Sequence, residues 1–158
     1  MQSPNRQPVV FGVVAVLLLV MLLQLVPMAR DNSATFDEPF HIYAGYLQWK
    51  HGYVLLNPPL ITGFFTLPLL AMNLKEPPIA NDPPGMGRAY GNLEFQGGKA
   101  LVFQNDANAI MFRTRMTAML FTVVLALLVF AAARDMFGVG AGLIALGLIA
   151  FEIGRAHV

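Results

Sequence analysis

Apolar positions crowd into three stretches of the chain and thin out between them. The first runs from Val9 to Met28 and carries VVAVLLLVMLLQLV, with only Gln24 breaking it. About 20 residues at 1.5 Å each cross a hydrocarbon core of roughly 30 Å. A transmembrane span is therefore expected over 9–29, behind a short polar start at 1–8. It should be retained, because a signal peptide has a shorter apolar region of about 7–15 residues, and Pro27-Met28-Ala29 is a poor cleavage site. A second span is expected over 116–133. A third starts at 137–152 with GVGAGLIALGLIAF. Arg134-Asp135 reads as the very short turn between them, which makes the two antiparallel neighbours. Gly138 and Gly142, like Ala141 and Ala145, are spaced for close helix packing.

The polar stretch 30–115 has its own pattern. Phe40, Tyr43, Ala44 and Leu47 recur at helical spacing. Asp37 or Glu38 suits an N-cap and Pro39 the first helical position, and Thr35-x-x-Glu38 fits a capping box one step earlier. Lys50 and His51 fall in the last turn and Gly52 ends the helix. Tyr46, Trp49 and Tyr53 suit the headgroup level of a membrane, so a helix lying along the surface is expected. Leu60 to Met72 is apolar but short, and Pro68 interrupts it, which points to an interfacial or re-entrant piece. Lys75 to Asn108 holds Pro77-Pro78, Pro83-Pro84-Gly85 and Gly97-Gly98 and reads as loop. Gly85-x-Gly87 lacks the strand–helix context of a dinucleotide fingerprint.

Composition sharpens this picture. The chain is 56% hydrophobic and 12% charged, with mean hydropathy +0.60, whereas soluble domains carry about 25% charged residues. A net charge of +1 gives no argument for nucleic acid. Cysteine is absent, which removes disulfides and thiolate metal sites. Arg6 and Arg134 would lie inside by the charge rule, leaving Arg113 and Arg115 outside. That basic pair fits either a lipid phosphate or plain headgroup contact. The closing string Ile153-Gly154-Arg155-Ala156-His157-Val158 breaks an apolar span. It is also what a common sequencing adapter encodes, so 153–158 is expected to be foreign to the natural protein, which should continue beyond it.

The candidate chemistry sits in Asp37-Glu38-Pro39-Phe40-His41. Carboxylates at a helix start can satisfy orphan N–H groups and the macrodipole. His41 follows Asp37 by four residues on the same face, and two ligands alone do not make a metal site. Adjacent helical positions diverge by about 100°, so Asp37 and Glu38 cannot share one role.

The whole pattern resembles membrane glycosyltransferases of the C-type fold, in the protein O-mannosyltransferase-like, lipid-carrier-dependent group. The resemblance runs through the first span, Asp37-Glu38-Pro39-Phe40-His41, Ala44-Gly45-Tyr46, Gly52 and Leu56-Asn57-Pro58-Pro59-Leu60. It resumes at Asn105-Asp106-Ala107, an Arg before the second span, the Ala133–Gly138 turn and Phe151-Glu152. Asn57 departs from it, since relatives often place His there.

The resemblance implies an all-α integral membrane protein, the N-terminal part of a multi-span enzyme of the inner (plasma) membrane. Stretch 30–115 would be a periplasmic or lumenal loop. The implied reaction is inverting transfer of a sugar from a polyprenyl phosphate to an acceptor hydroxyl on protein or lipid. Asp37 would be the base, with Glu38 as a supporting or capping group, and His41, Arg113 and Arg115 would bind substrate. Some such enzymes hold a divalent metal with first-loop acids, so metal use stays open. The rival reading is a non-catalytic membrane scaffold or complex subunit, packing through the glycines of its third span.

Overall fold

The structure, a computed structural model, describes residues 7–54, 59–77 and 90–155. Asn57-Pro58, Pro78, Pro83-Pro84-Gly85, Gly87 and Ala156 to Val158 lie outside them. All regular elements among the described residues are helical: α1 Gln7–Asp31, α2 Glu38–His51, α3 Pro59–Thr66 with a 3₁₀ turn Leu67–Ala71, α4 Tyr90–Phe103, α5 Ala107–Phe137 and α6 Val139–Arg155. Two of these, α1 and α5, are long and apolar enough to cross a membrane. The chain divides into two compact units, one of residues 1–28 and 119–158, the other of residues 29–118.

In the first unit Met21, Ala126, Leu146 and Ala150 are buried together. Gln24, the polar exception in its apolar run, donates to the carbonyls of Val20 and Ala150, both at 3.2 Å. A polar side chain in so apolar a helix needs such partners. The expected turn at Arg134-Asp135 falls elsewhere, because both residues stay in α5 and the chain reverses at Gly138. Gly138 takes φ +92°, a left-handed conformation that suits glycine. It therefore acts through its backbone and not, as expected, through close packing. Gly142 does pack closely, since a Cβ there would lie 2.9 Å from the Phe130 carbonyl oxygen.

The second unit is built around α2. Ile42 to Leu47 are buried without a break, although a helix lying on a membrane would bury only one face. The reason is that α3 and α4 both pack on α2. Ile42, Tyr43, Tyr46 and Leu47 form a core with Leu69, Leu101, Val102, Ile110 and Met111. Tyr46 is thus a core residue, 1% exposed, and not a headgroup anchor.

Glycines set the two helix approaches. A Cβ on Gly45 would run into the Thr62 carbonyl, and one on Gly98 would come within 2.6 Å of the Pro39 carbonyl oxygen. Gly97-Gly98, expected in a loop, lies inside α4. Glycine costs a helix about 1 kcal/mol relative to alanine, and here it lets α4 lie against the backbone of α2. The second long helix also starts earlier than the apolar run suggests. α5 begins at Ala107, with Asp106 accepting from the Ala109 N–H at 3.0 Å as its cap. Its 31 residues extend roughly 46 Å, so its first turns belong to the second unit.

Candidate functional site

The start of α2 is where the sequence concentrates its carboxylates, and the fold separates them. Glu38 is consumed by structure. Its two oxygens each accept from Arg115, from Nε and from a terminal nitrogen, both at 2.7 Å. One of them also accepts the Thr35 N–H at 3.2 Å. This is the backward half of the capping box expected from Thr35-x-x-Glu38; in the forward direction the Glu38 N–H makes a turn hydrogen bond to the Thr35 backbone carbonyl at 3.3 Å.

Arg115 is equally committed. Its other terminal N–H groups reach the carbonyls of Ala29 at 3.2 Å, Asn32 at 2.7 Å and Ser33 at 3.1 Å. A guanidinium has five N–H donors, and all five are used. Arg115 thereby clamps the segment between α1 and α2 onto α5, and it keeps no donor for a lipid phosphate. Arg113 lies two positions earlier and points roughly 160° away. It is exposed. The two arginines therefore do not act as the pair that the sequence suggested.

Asp37 is left over. It is the N-cap residue by position, but its side chain makes no capping bond, and its backbone is already near helical at φ −95°, ψ −16°. The carboxylate is 63% exposed, and its neighbour is the His41 Nε2 at 3.7 Å. Both line a groove of about 390 Å³ together with Thr35, Glu38 and Arg115. The other lining is apolar or hydroxyl-bearing: Ile42, Ile61, Thr62, Phe65, Thr66, Thr114 and Ala118. The threonine hydroxyls already donate to backbone carbonyls one helical turn back. Asp37, Glu38, His41 and Arg115 of the expected site thus meet in one groove, and Arg113 does not line it. No three His, Cys, Asp or Glu side chains come together as a metal cluster among the described residues.

A second polar cluster escaped sequence reasoning. The Glu76 carboxylate accepts from the buried Tyr46 hydroxyl at 3.0 Å and lies 3.0 Å from His51 Nε2. The His51 hydrogen bond is the main reason that the Glu76 carboxyl titrates below its usual range. Burial first, then Glu76, pushes the Tyr46 hydroxyl up to about 12. Asn105 holds the same segment by accepting the Lys75 N–H at 2.8 Å and donating to its carbonyl at 3.0 Å. The Asn105-Asp106 pair thus has structural work to do at this point. No spacing rule links Glu76 to Tyr46, thirty residues earlier.

The fold and the groove define an all-helical protein with two helices able to span a membrane and a carboxylate-bearing groove in its second unit. Compared with protein-family models, curated proteins and solved structures, the chain matches none.

Proposed function

We propose that this chain is part of an inner-membrane glycosyltransferase that moves a sugar from a polyprenyl phosphate to an acceptor hydroxyl with inversion. The resemblance of Asp37-Glu38-Pro39-Phe40-His41 and its flanking motifs motivates the reading. One observation carries it further: of the two adjacent carboxylates, Glu38 is tied down by Arg115, while Asp37 faces the groove without a capping bond. A general base has to lie within hydrogen-bond reach of the proton it takes.

In the proposed step an Asp37 oxygen takes the proton of the acceptor hydroxyl. The acceptor oxygen forms its bond to the anomeric carbon from the face opposite the phosphate. The bond from that carbon to the phosphate oxygen breaks, and polyprenyl phosphate leaves with the electron pair. His41 holds Asp37 in position. The apolar wall of Ile42, Ile61, Phe65 and Ala118 suits the isoprenoid end of the donor. Exposed Arg113 is a cation available to a lipid phosphate, and the groove would face the periplasm.

The test is transfer from a polyprenyl-phosphate sugar, measured in membranes that hold the protein. Asp37→Asn should keep the protein folded and lower turnover by roughly 10²–10⁴. Turnover within about threefold of normal would show that Asp37 is not the base, and absence of transfer by the wild-type protein would favour the scaffold reading.

A further inference from the structure

The helix that walls the groove has its polarity reversed. In α3 the residues turned toward the protein are Thr62, Gly63 and Thr66, all buried. Those turned outward are Leu60, Ile61 and Phe64, followed by Leu67 in the 3₁₀ turn, each more than a third exposed and Leu60 78% exposed. A helix on a water-facing surface has the opposite arrangement. The inner face is polar because α3 meets α2 backbone to side chain: Gly45 leaves no room for a larger residue, and Thr66 returns its hydroxyl to the Thr62 and Gly63 carbonyls.

Three more observations bear on what covers the outer face. No charged residue occurs from Pro59 to Leu74, and the charges resume at Lys75 and Glu76. Trp49, half exposed, is pinned to the side of α3 by a 2.7 Å hydrogen bond from its indole nitrogen to the Gly63 carbonyl. An indole at the border of an apolar face is the usual marker of the bilayer interface. Finally, this unit is entered from α1 and left through α5, the two helices able to span a membrane. The chain itself keeps the unit close to a bilayer.

We infer that the outer face of α3 and its 3₁₀ extension, from Leu60 to Leu67, is seated in the lipid bilayer, with Trp49 at headgroup level. The surface-bound element is thus α3, while α2 reaches the interface only near its end, through Trp49, and is otherwise covered by α3 and α4. Ile61 belongs both to the seated face and to the groove lining, so the apolar end of the groove borders the lipid. The inference holds whatever chemistry the groove performs.

Trp49 is the only tryptophan of the chain, which makes its fluorescence a direct probe. The protein is reconstituted into phosphatidylcholine vesicles in which the lipids carry bromine either near the ester end or near the middle of the acyl chain. Iodide is present on both sides in a separate arm. Bromine near the ester should reduce Trp49 emission roughly twofold and more than bromine at mid-chain, as expected for an interfacial indole, while iodide changes it little. In a Trp49→Phe, Leu60→Trp variant the single indole moves onto the exposed face of α3. Its emission should be quenched by brominated lipid at least as strongly. Quenching of the Leu60→Trp indole by iodide and not by lipid would place the face in water and overturn the inference. Quenching by neither would mean that a protein partner or a second copy covers it, and would overturn it equally.

Discussion

Arg115 grips both carboxylate oxygens of Glu38 at 2.7 Å, across 77 residues of chain. The pair is mostly screened from water, with the two side chains 17% and 20% exposed. Lysine cannot reproduce a fork that also holds three carbonyls. Arg115→Lys should therefore destabilise the protein by about 2–4 kcal/mol, and Glu38→Gln by about 1–3 kcal/mol. Because the two residues share one interaction, the double variant should lose clearly less than the sum of the single losses. Unfolding in detergent micelles measures all three proteins. Strict additivity would mean that the clamp contributes nothing of its own.

Asp37 and His41 should behave in the opposite way. Their contact is 3.7 Å long and both side chains are at least half exposed. Exposed pairs of this kind are worth about 0–1 kcal/mol. Asp37→Asn and His41→Gln should accordingly leave the melting temperature within about 4 °C. A large fall for Asp37→Asn would reveal a structural role that its missing cap bond argues against.

Glycine substitutions separate close packing from spare space. Gly45→Ala and Gly98→Ala each press a methyl group against a backbone carbonyl of the neighbouring helix. Backbone cannot move aside as a side chain can, so each should cost about 1–3 kcal/mol despite the better helix propensity of alanine. Gly63→Ala meets first the flexible Gln48 side chain, and Gly140→Ala meets nothing within 4 Å. These two should be neutral or stabilising by up to about 1 kcal/mol. Thermal unfolding of the four variants side by side tests the ranking, which would fail if Gly45→Ala proved as harmless as Gly140→Ala.

The same residues show what sequence can reveal. Local signals were readable: the end of α2 at Gly52, whose N–H donates to the Gln48 carbonyl at 3.1 Å, the break at Pro68, and the apolar runs of α1 and α5. These depend on neighbours within one helical turn. Gly97-Gly98 carried the composition of a loop, and only the presence of α2 explains why a helix accepts them. Tyr46 suited an interfacial belt until a second helix was available to bury it. Of Asp37 and Glu38 the sequence established that they diverge. Which of them is tied down depends on Arg115, which the chain brings back only through α5.

Tyr46 ties stability to alkaline pH. Its hydroxyl, buried and bonded to the Glu76 carboxylate, is pushed from 10.0 up to about 12. The unfolded chain loses the tyrosine proton near its ordinary pKa of about 10, while the folded protein keeps it. The raised pKa thus contributes stability that is fully present below pH 10 and is lost as pH climbs through the folded value near 12. The loss should amount to about 3 kcal/mol. Tyr46→Phe cannot titrate and should show no such loss from this site. At neutral pH it should be weaker by about 1 kcal/mol for the missing hydrogen bond, and Glu76 still keeps His51. Glu76→Gln removes the charge and leaves the burial, which is the largest cause of the shift. Its alkaline window should therefore narrow without closing. Chemical unfolding in detergent from pH 8 upward, with wild type, Tyr46→Phe and Glu76→Gln in parallel, measures the slopes. Equal slopes for wild type and Tyr46→Phe between pH 10 and 12 would show that Tyr46 is not the group responsible.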